Sequence, residues 1–278
     1  MIAPIYVAAR EVLLDALDAL GPQRRAVILA GAQAIYLHTG DADLAVAEYT
    51  TDGDLVVDPA LLQNDPRLHA AMEAGGFKLH PQQPGIWVQK RLIEGVLTEV
   101  PVDLLVPAAV AGAGRRGARL GEHGDKSGRR VRGLEGALVD HSMFMIDVFD
   151  PKDQRRFEIR VAGPSALLVA KLHKLADRTA ERRVTRLEDK DALDVLRLLR
   201  AVPTAALATG LHRLLSDAVA QEVAREAVDH LARLFGATGA PGTQMAVQAT
   251  ERLEDPAAIA GSCVALTAAL LDEISSRR

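Results

Sequence analysis

Ala26-Val27-Ile28-Leu29-Ala30-Gly31-Ala32 and, about twenty residues on, Thr50-Thr51-Asp52-Gly53-Asp54-Leu55-Val56-Val57 decide how this chain reads. A short apolar run closed by glycine predicts a buried strand. Ala32 to Thr39 then follows a helical pattern that Gly40 ends, so Gly31 is the turn between strand and helix. The second stretch predicts another strand starting near Asp52. On extended backbone, residues i and i+2 share a face. Asp52 and Asp54 therefore point the same way, with Gly53 opposite.

Two carboxylates this close repel unless a cation lies between them, and their hard oxygens suit Mg2+ or Mn2+. Further along, Val102-Asp103-Leu104-Leu105 places an acid in an otherwise apolar strand, where an unpaired charge is costly. A neighbouring strand can bring Asp103 beside the first two and complete a two-metal set. Gly31 and Ala32 supply the complement. A helix N-terminus offers free N–H groups and positive dipole, and glycine lets a phosphate approach the backbone. The simpler reading is a surface turn at Thr50 to Asp54 plus a buried, hydrogen-bonded Asp103. Glu99 competes for the third ligand position, and Asp58, followed by Pro59, reads as a helix cap.

Working outward, Ile5 to Leu20 predicts a mostly buried helix with Glu11, Asp15 and Asp18 as its solvated stripe. Asp58-Pro59 opens a helix that Gly75-Gly76 closes. Phe77 to Leu79, Ile86 to Lys90, Glu99 to Val106, Met143 to Phe149 and Phe157 to Val161 predict strands. Gly112 to Gly133 holds seven glycines and seven Lys or Arg, which predicts a mobile basic loop. Its Asp125-Lys126-Ser127 is not a P-loop, because no glycine precedes the lysine and no apolar strand leads in. From Gly163 onward the pattern is helical, broken near Thr179 to Thr185, Val202-Pro203, Gly236 to Gly242 and Asp255-Pro256. The fold class expected is α+β, with a mixed-sheet α/β domain over 1–162 and a helical domain over 163–278.

Lys171, Lys174 and Arg178 share one face of a helix, with Leu168, Leu172 and Leu175 on another. Lys190, Asp194 and Arg197 form a similar row, with Asp191 beside it. Either row is a phosphate-facing surface or an ordinary solvated one.

These motifs resemble the nucleotidyltransferase superfamily founded on DNA polymerase β, whose pattern is Gly-Gly or Gly-Ser, then Asp-x-Asp, then a third acid. Here Ala32 stands at the second small position and Gly53 between the acids. Leu167 to Arg178, followed by Lys190-Asp191-Ala192-Leu193-Asp194, is similar to the AbiEii-like branch, whose studied members are toxins of toxin–antitoxin and phage-defence systems. The resemblance covers roughly 26–200. It implies a polymerase-β-like core and Mg2+- or Mn2+-dependent transfer of an NMP from an NTP to an acceptor hydroxyl, tRNA or other RNA favoured. An antitoxin partner is implied as well. Asp52, Asp54 and Asp103 would be catalytic and metal-binding. Gly31, Ala32, Lys171, Lys174, Lys190 and Asp191 would face the nucleotide. The alternative is a catalytically inactive binding or regulatory protein on the same fold.

Bulk properties set bounds. The chain has 278 residues, a formal charge of -4, 49% hydrophobic and 3% aromatic residues. This balance does not mark a general nucleic-acid binder. Cys263 is the only cysteine, which excludes an intrachain disulfide and a cysteine-based zinc site. No signal-peptide pattern and no membrane-spanning run is read, so a cytoplasmic protein is expected.

Overall fold

The computed structural model describes residues 2–40, 42, 44, 46, 48–180, 186–250 and 253–276, with only the backbone of 186–189 described. Its elements in chain order are α1 (Pro4–Leu20), β1 (Val27–Ala30), α2 (Gly31–Thr39), β2 (Gly53–Val57) and α3 (Leu68–Ala74). Then come β3 (Lys78–Leu79), β4 (Ile86–Ile93), β5 (Val96–Pro107), β6 (Arg129–Val131), β7 (His141–Asp147) and β8 (Arg156–Ala162). The helices α4 (Pro164–Ala180), α5 (Arg186–Ala201), α6 (Thr204–Ser216), α7 (Gln221–Phe235), α8 (Pro241–Ala249) and α9 (Pro256–Ser276) follow. The protein is therefore mixed α+β, a mixed sheet followed by a helical C-terminal half.

Residues 1–34 and 49–162 make one compact unit, and 35–48 with 163–278 the other. The sequence reading divided the chain once, after residue 162. The segment 35–48 goes to the second unit because Arg197, itself buried, donates to the Val46 carbonyl and stacks over the Tyr36 ring.

In the first unit the strand order is β3-β4-β5-β2-β1-β8-β7, with β6 also pairing with β5. β1 runs antiparallel to β2 and parallel to β8, while β2 and β5 are parallel. β1 is buried along its whole length, as an apolar run at the centre of a sheet requires. α1 packs on the sheet, and its Val12, Leu13, Leu17 and Leu20 are fully buried. A Cβ at Gly53 would lie 3.2 Å from a Leu13 methyl, so the missing side chain is what lets helix and strand close up.

Three segments differ from their sequence reading. The helix expected from Pro59 to Ala74 is instead a 3-10 turn at Pro59–Leu61, capped by Asp58 accepting from the Ala60 N–H, with α3 forming only from Leu68. Pro66 explains the gap, since proline lacks an amide donor and drives the residue before it out of helical conformation. β4 and β5 are longer than expected and meet at Glu94-Gly95. The basic segment 112–133 is folded rather than a mobile loop. It buries Ala118, Leu120 and Ser127, adds β6 to the sheet, and accepts the Trp87 indole N–H on the Ser127 carbonyl at 3.0 Å.

In the helical unit α4 packs against α5, α6 and α7, and α9 against α6, α7 and α8. Breaks fall at Val202-Pro203 and before Pro241 and Pro256, while 181–185 lie outside the described residues. A further break after Ser216 has no Gly or Pro; the Asp217 carboxylate makes it by accepting the N–H groups of Val219 and Ala220. α9 is long and apolar enough to cross a bilayer by length and composition alone, which the sequence reading did not anticipate. Its buried residues Ile259, Cys263, Thr267, Leu270 and Ile274 recur at helical spacing, the pattern of one face laid on neighbours.

Leu13 is the contact that sets α1 on β2. Leu13→Ala should lower stability by about 2–5 kcal/mol in urea unfolding; an unchanged midpoint would show that α1 does not depend on this contact.

Candidate functional site

At the end of β1, Ala30 pairs with Asp54 across the antiparallel ladder, and Gly31 turns with φ +65° into α2. A Cβ at Gly31 would run into the Asp54 carboxylate, so Asp54 lies directly against the backbone at the mouth of α2. Glycine is required here twice over, by the left-handed φ and by the close approach. Ala32 follows, buried, in the first turn.

The parallel pairing of β2 with β5 sets Asp54 beside Asp103 in register, and adjacent strands lie about 4.8 Å apart. Gly53 and Val102 both face Leu13 and α1, so their neighbours Asp54 and Asp103 share the opposite face. Asp52 precedes Asp54 by two residues. Its Oδ1 accepts from the buried Thr50 hydroxyl at 2.7 Å, and its carbonyl accepts from the Gln33 side chain at 2.9 Å. Gln33 is locked in turn by Arg10, whose Nε donates to it at 2.7 Å. This chain of bonds ties α1, α2 and the start of β2 into one frame.

The sequence reading missed Arg129. It stands on β6 and donates to Asp103 Oδ2 at 2.5 Å, while its Nε is buried with no hydrogen-bond partner. Its only sequence signal is its place in the basic segment 112–133, whose composition predicts a loop rather than the strand β6. Among the described residues no three His, Cys, Asp or Glu side chains are grouped as a metal cage requires. The register brings Asp54 and Asp103 together; the contacts of Thr50 with Asp52 and of Arg129 with Asp103 show what each acid holds in this arrangement. As chemistry, the oxygen donors of Asp54 and Asp103 suit a hard divalent ion. Arg129 already supplies one positive charge there.

In the helical unit, Lys171 is buried and its Nζ lies 2.5 Å from Asp191 and 2.7 Å from Asp194. Lys174 approaches Asp191 at 3.2 Å and Arg178 also pairs with it. Burial alone disfavours the ammonium, but the two carboxylates outweigh it and hold the Lys171 pKa well above its ordinary value. For Asp191 burial pushes upward, and Lys171, Lys174 and Arg178 together force its pKa well below the usual carboxylate range. Asp194 Oδ1 is buried without a partner. Lys190, which precedes Asp191 in α5, is half-buried. The helical period assigned Lys171 to a polar face distinct from Leu168, Leu172 and Leu175; all four side chains are buried. Periodicity could not see that α5 brings two carboxylates to meet the lysine.

No family model, no curated protein and no solved structure matches the chain.

Two predictions follow from the buried network. Lys171→Met strands two carboxylates and should cost about 3–5 kcal/mol, read by urea unfolding of the helical signal; an unaltered curve would mean that the aspartates are solvated. The pH dependence has two limbs. Asp191 contributes stability above its unfolded pKa, so that contribution fades as pH falls below about 4. Lys171 contributes fully below its unfolded pKa, so its share fades as pH rises beyond about 10. Circular dichroism of unfolding across pH should show both limbs, and Asp191→Asn should flatten the acid one.

Proposed function

We propose that this protein is a nucleotidyltransferase that moves an NMP from an NTP to an acceptor hydroxyl, with RNA, tRNA foremost, as acceptor; the acceptor oxygen bonds to the α-phosphorus as the α–β phosphoanhydride bond breaks, and pyrophosphate leaves. The observation that carries the reading is the register of Asp54 with Asp103 on one face of the sheet, against a glycine-capped helix mouth. Opposed in function, the two features meet the two needs of phosphoryl chemistry: anionic oxygens for a cation, and backbone N–H groups for phosphate.

Asp54 and Asp103, and Asp52 by the Asp-x-Asp pattern of the sequence, would hold Mg2+ or Mn2+. When bound, such an ion neutralises phosphate charge and lowers the pKa of the attacking hydroxyl. Gly31 and Ala32 offer their N–H groups to the phosphates. Asp103 takes the proton from the acceptor hydroxyl, and Arg129 turns its guanidinium to the charge that develops on the transferred phosphate. Lys171, Lys174, Lys190 and Asp191 are expected from the resemblance to face the nucleotide; within the helical unit Lys174 is the most exposed of the cations paired with Asp191, and Lys171 is buried with that carboxylate. A role as a toxin held by an antitoxin, in the manner of the AbiEii-like branch, is part of the same proposal.

A second reading rests on Arg129. An arginine that already neutralises Asp103 is what a nucleotidyltransferase fold retained for binding alone would contain. Calorimetry with each NTP and Mg2+ separates the two, since heat with none of the four supports the binding module.

The test of transfer uses labelled NTPs with total RNA. Asp54→Asn and Asp103→Asn should each lower incorporation by about 100-fold or more while leaving the circular dichroism unchanged. Undiminished incorporation in either variant contradicts the assignment.

A further inference from the structure

We propose that β7 is a dimerisation strand, pairing antiparallel with β7 of a second copy of this chain and joining two sheets into one. The sheet ends differently at its two edges. At one, β3 has only two residues and exposes Lys78, the short, charged edge by which sheets avoid unwanted pairing. At the other, β7 has seven residues and pairs, among the described residues, with β8 alone. It contains no Lys, Arg, Pro or Gly, runs Met143-Phe144-Met145-Ile146 through its middle, and matches β8 residue for residue without a bulge. A strand with these properties at a sheet edge is a template for a further strand.

The side chains select what that strand is. Alternation puts His141, Met143, Met145 and Asp147 on one face of β7 and the buried Ile146 on the other. Met143 and Met145 are 54% and 53% exposed. Their β8 neighbours on that face, Arg160 and Glu158, are charged, so two flexible thioether chains stand as an apolar pair in a polar surface. With a two-fold axis at Phe144, Met143 of each copy lies opposite Met145 of the other, and His141 of each opposite Asp147 of the other. The row reads basic, apolar, apolar, acidic, and is therefore complementary to its own reverse, as an isologous interface demands. Apolar against apolar and basic against acidic are the cross-strand pairs that stabilise a sheet. Moving the axis by one residue sets His141 or Asp147 against a methionine, so one register is preferred. An unrelated strand could fill the open edge but would leave this self-complementarity unexplained. Arg10 donates to the Asp147 carbonyl at 3.1 Å, which fixes the end of the strand.

Sedimentation velocity of the full chain, without NTP or divalent cation, tests this independently of any transfer reaction. The native chain should be dimeric at micromolar concentrations. Met143→Lys/Met145→Lys, both at exposed positions, should be monomeric there with an unchanged circular dichroism spectrum. Asp147→Lys opposes positive charge to His141 twice in each dimer and should raise the dimer dissociation constant by about tenfold or more. His141→Asp/Asp147→Lys should recover native association. A native chain that stays monomeric overturns the proposal. So does a dimer that survives both lysine variants, or one that the double exchange fails to restore.

Discussion

The pairing of β2 with β5 is the constraint on which the first unit turns. Parallel register fixes Asp54 opposite Asp103, and a slip of one residue would send one of them to the α1 face against Leu13. Slippage is blocked by the apolar neighbours, because Leu55, Val102 and Leu104 are fully buried and could not exchange places with acids. The same hydrophobic effect that builds the sheet thus holds two carboxylates side by side, an arrangement that costs energy unless positive charge is supplied. Arg129 supplies it here, and Gly31 lets the Asp54 carboxylate reach the mouth of α2.

The helical unit solves a comparable problem differently. Asp191 and Asp194 are brought into the interior and Lys171 is buried with them, so attraction between full charges offsets desolvation. Such a cluster contributes little net stability but is severe on its own disruption. It acts as a registry device between α4 and α5, because no shift of one helix along the other keeps both carboxylates at the ammonium.

The strands and helices with simple periods were legible. α1, β1 with its turn into α2, and the β7–β8 pair follow directly from apolar runs and their glycine or proline stops. The shared face expected for Asp52 and Asp54 needs both on a strand, whereas β2 starts at Gly53 and Asp52 precedes it. Partners from distant sequence were not legible. Arg129 reaches Asp103 because β6 adds to β5 across 26 residues of chain, and local composition in that stretch suggested only a loop. Lys171 presented the same difficulty: its period gave a helix face, but burial was decided by α5. Pro66 is visible in the sequence, and it is what limits the helical turn after Pro59 to Leu61 and delays α3 to Leu68.

The electrostatic role of the paired carboxylates can be measured without assuming any reaction. Titration of Mn2+ followed by electron paramagnetic resonance, with and without NTP, reports directly on whether they hold a divalent ion. Saturable uptake by the native chain, strengthened by NTP and lost in an Asp54→Ala/Asp103→Ala protein that retains its circular dichroism, is the result expected. Uptake that is equal in the two proteins, or undetectable in the native chain even with NTP, would contradict the account.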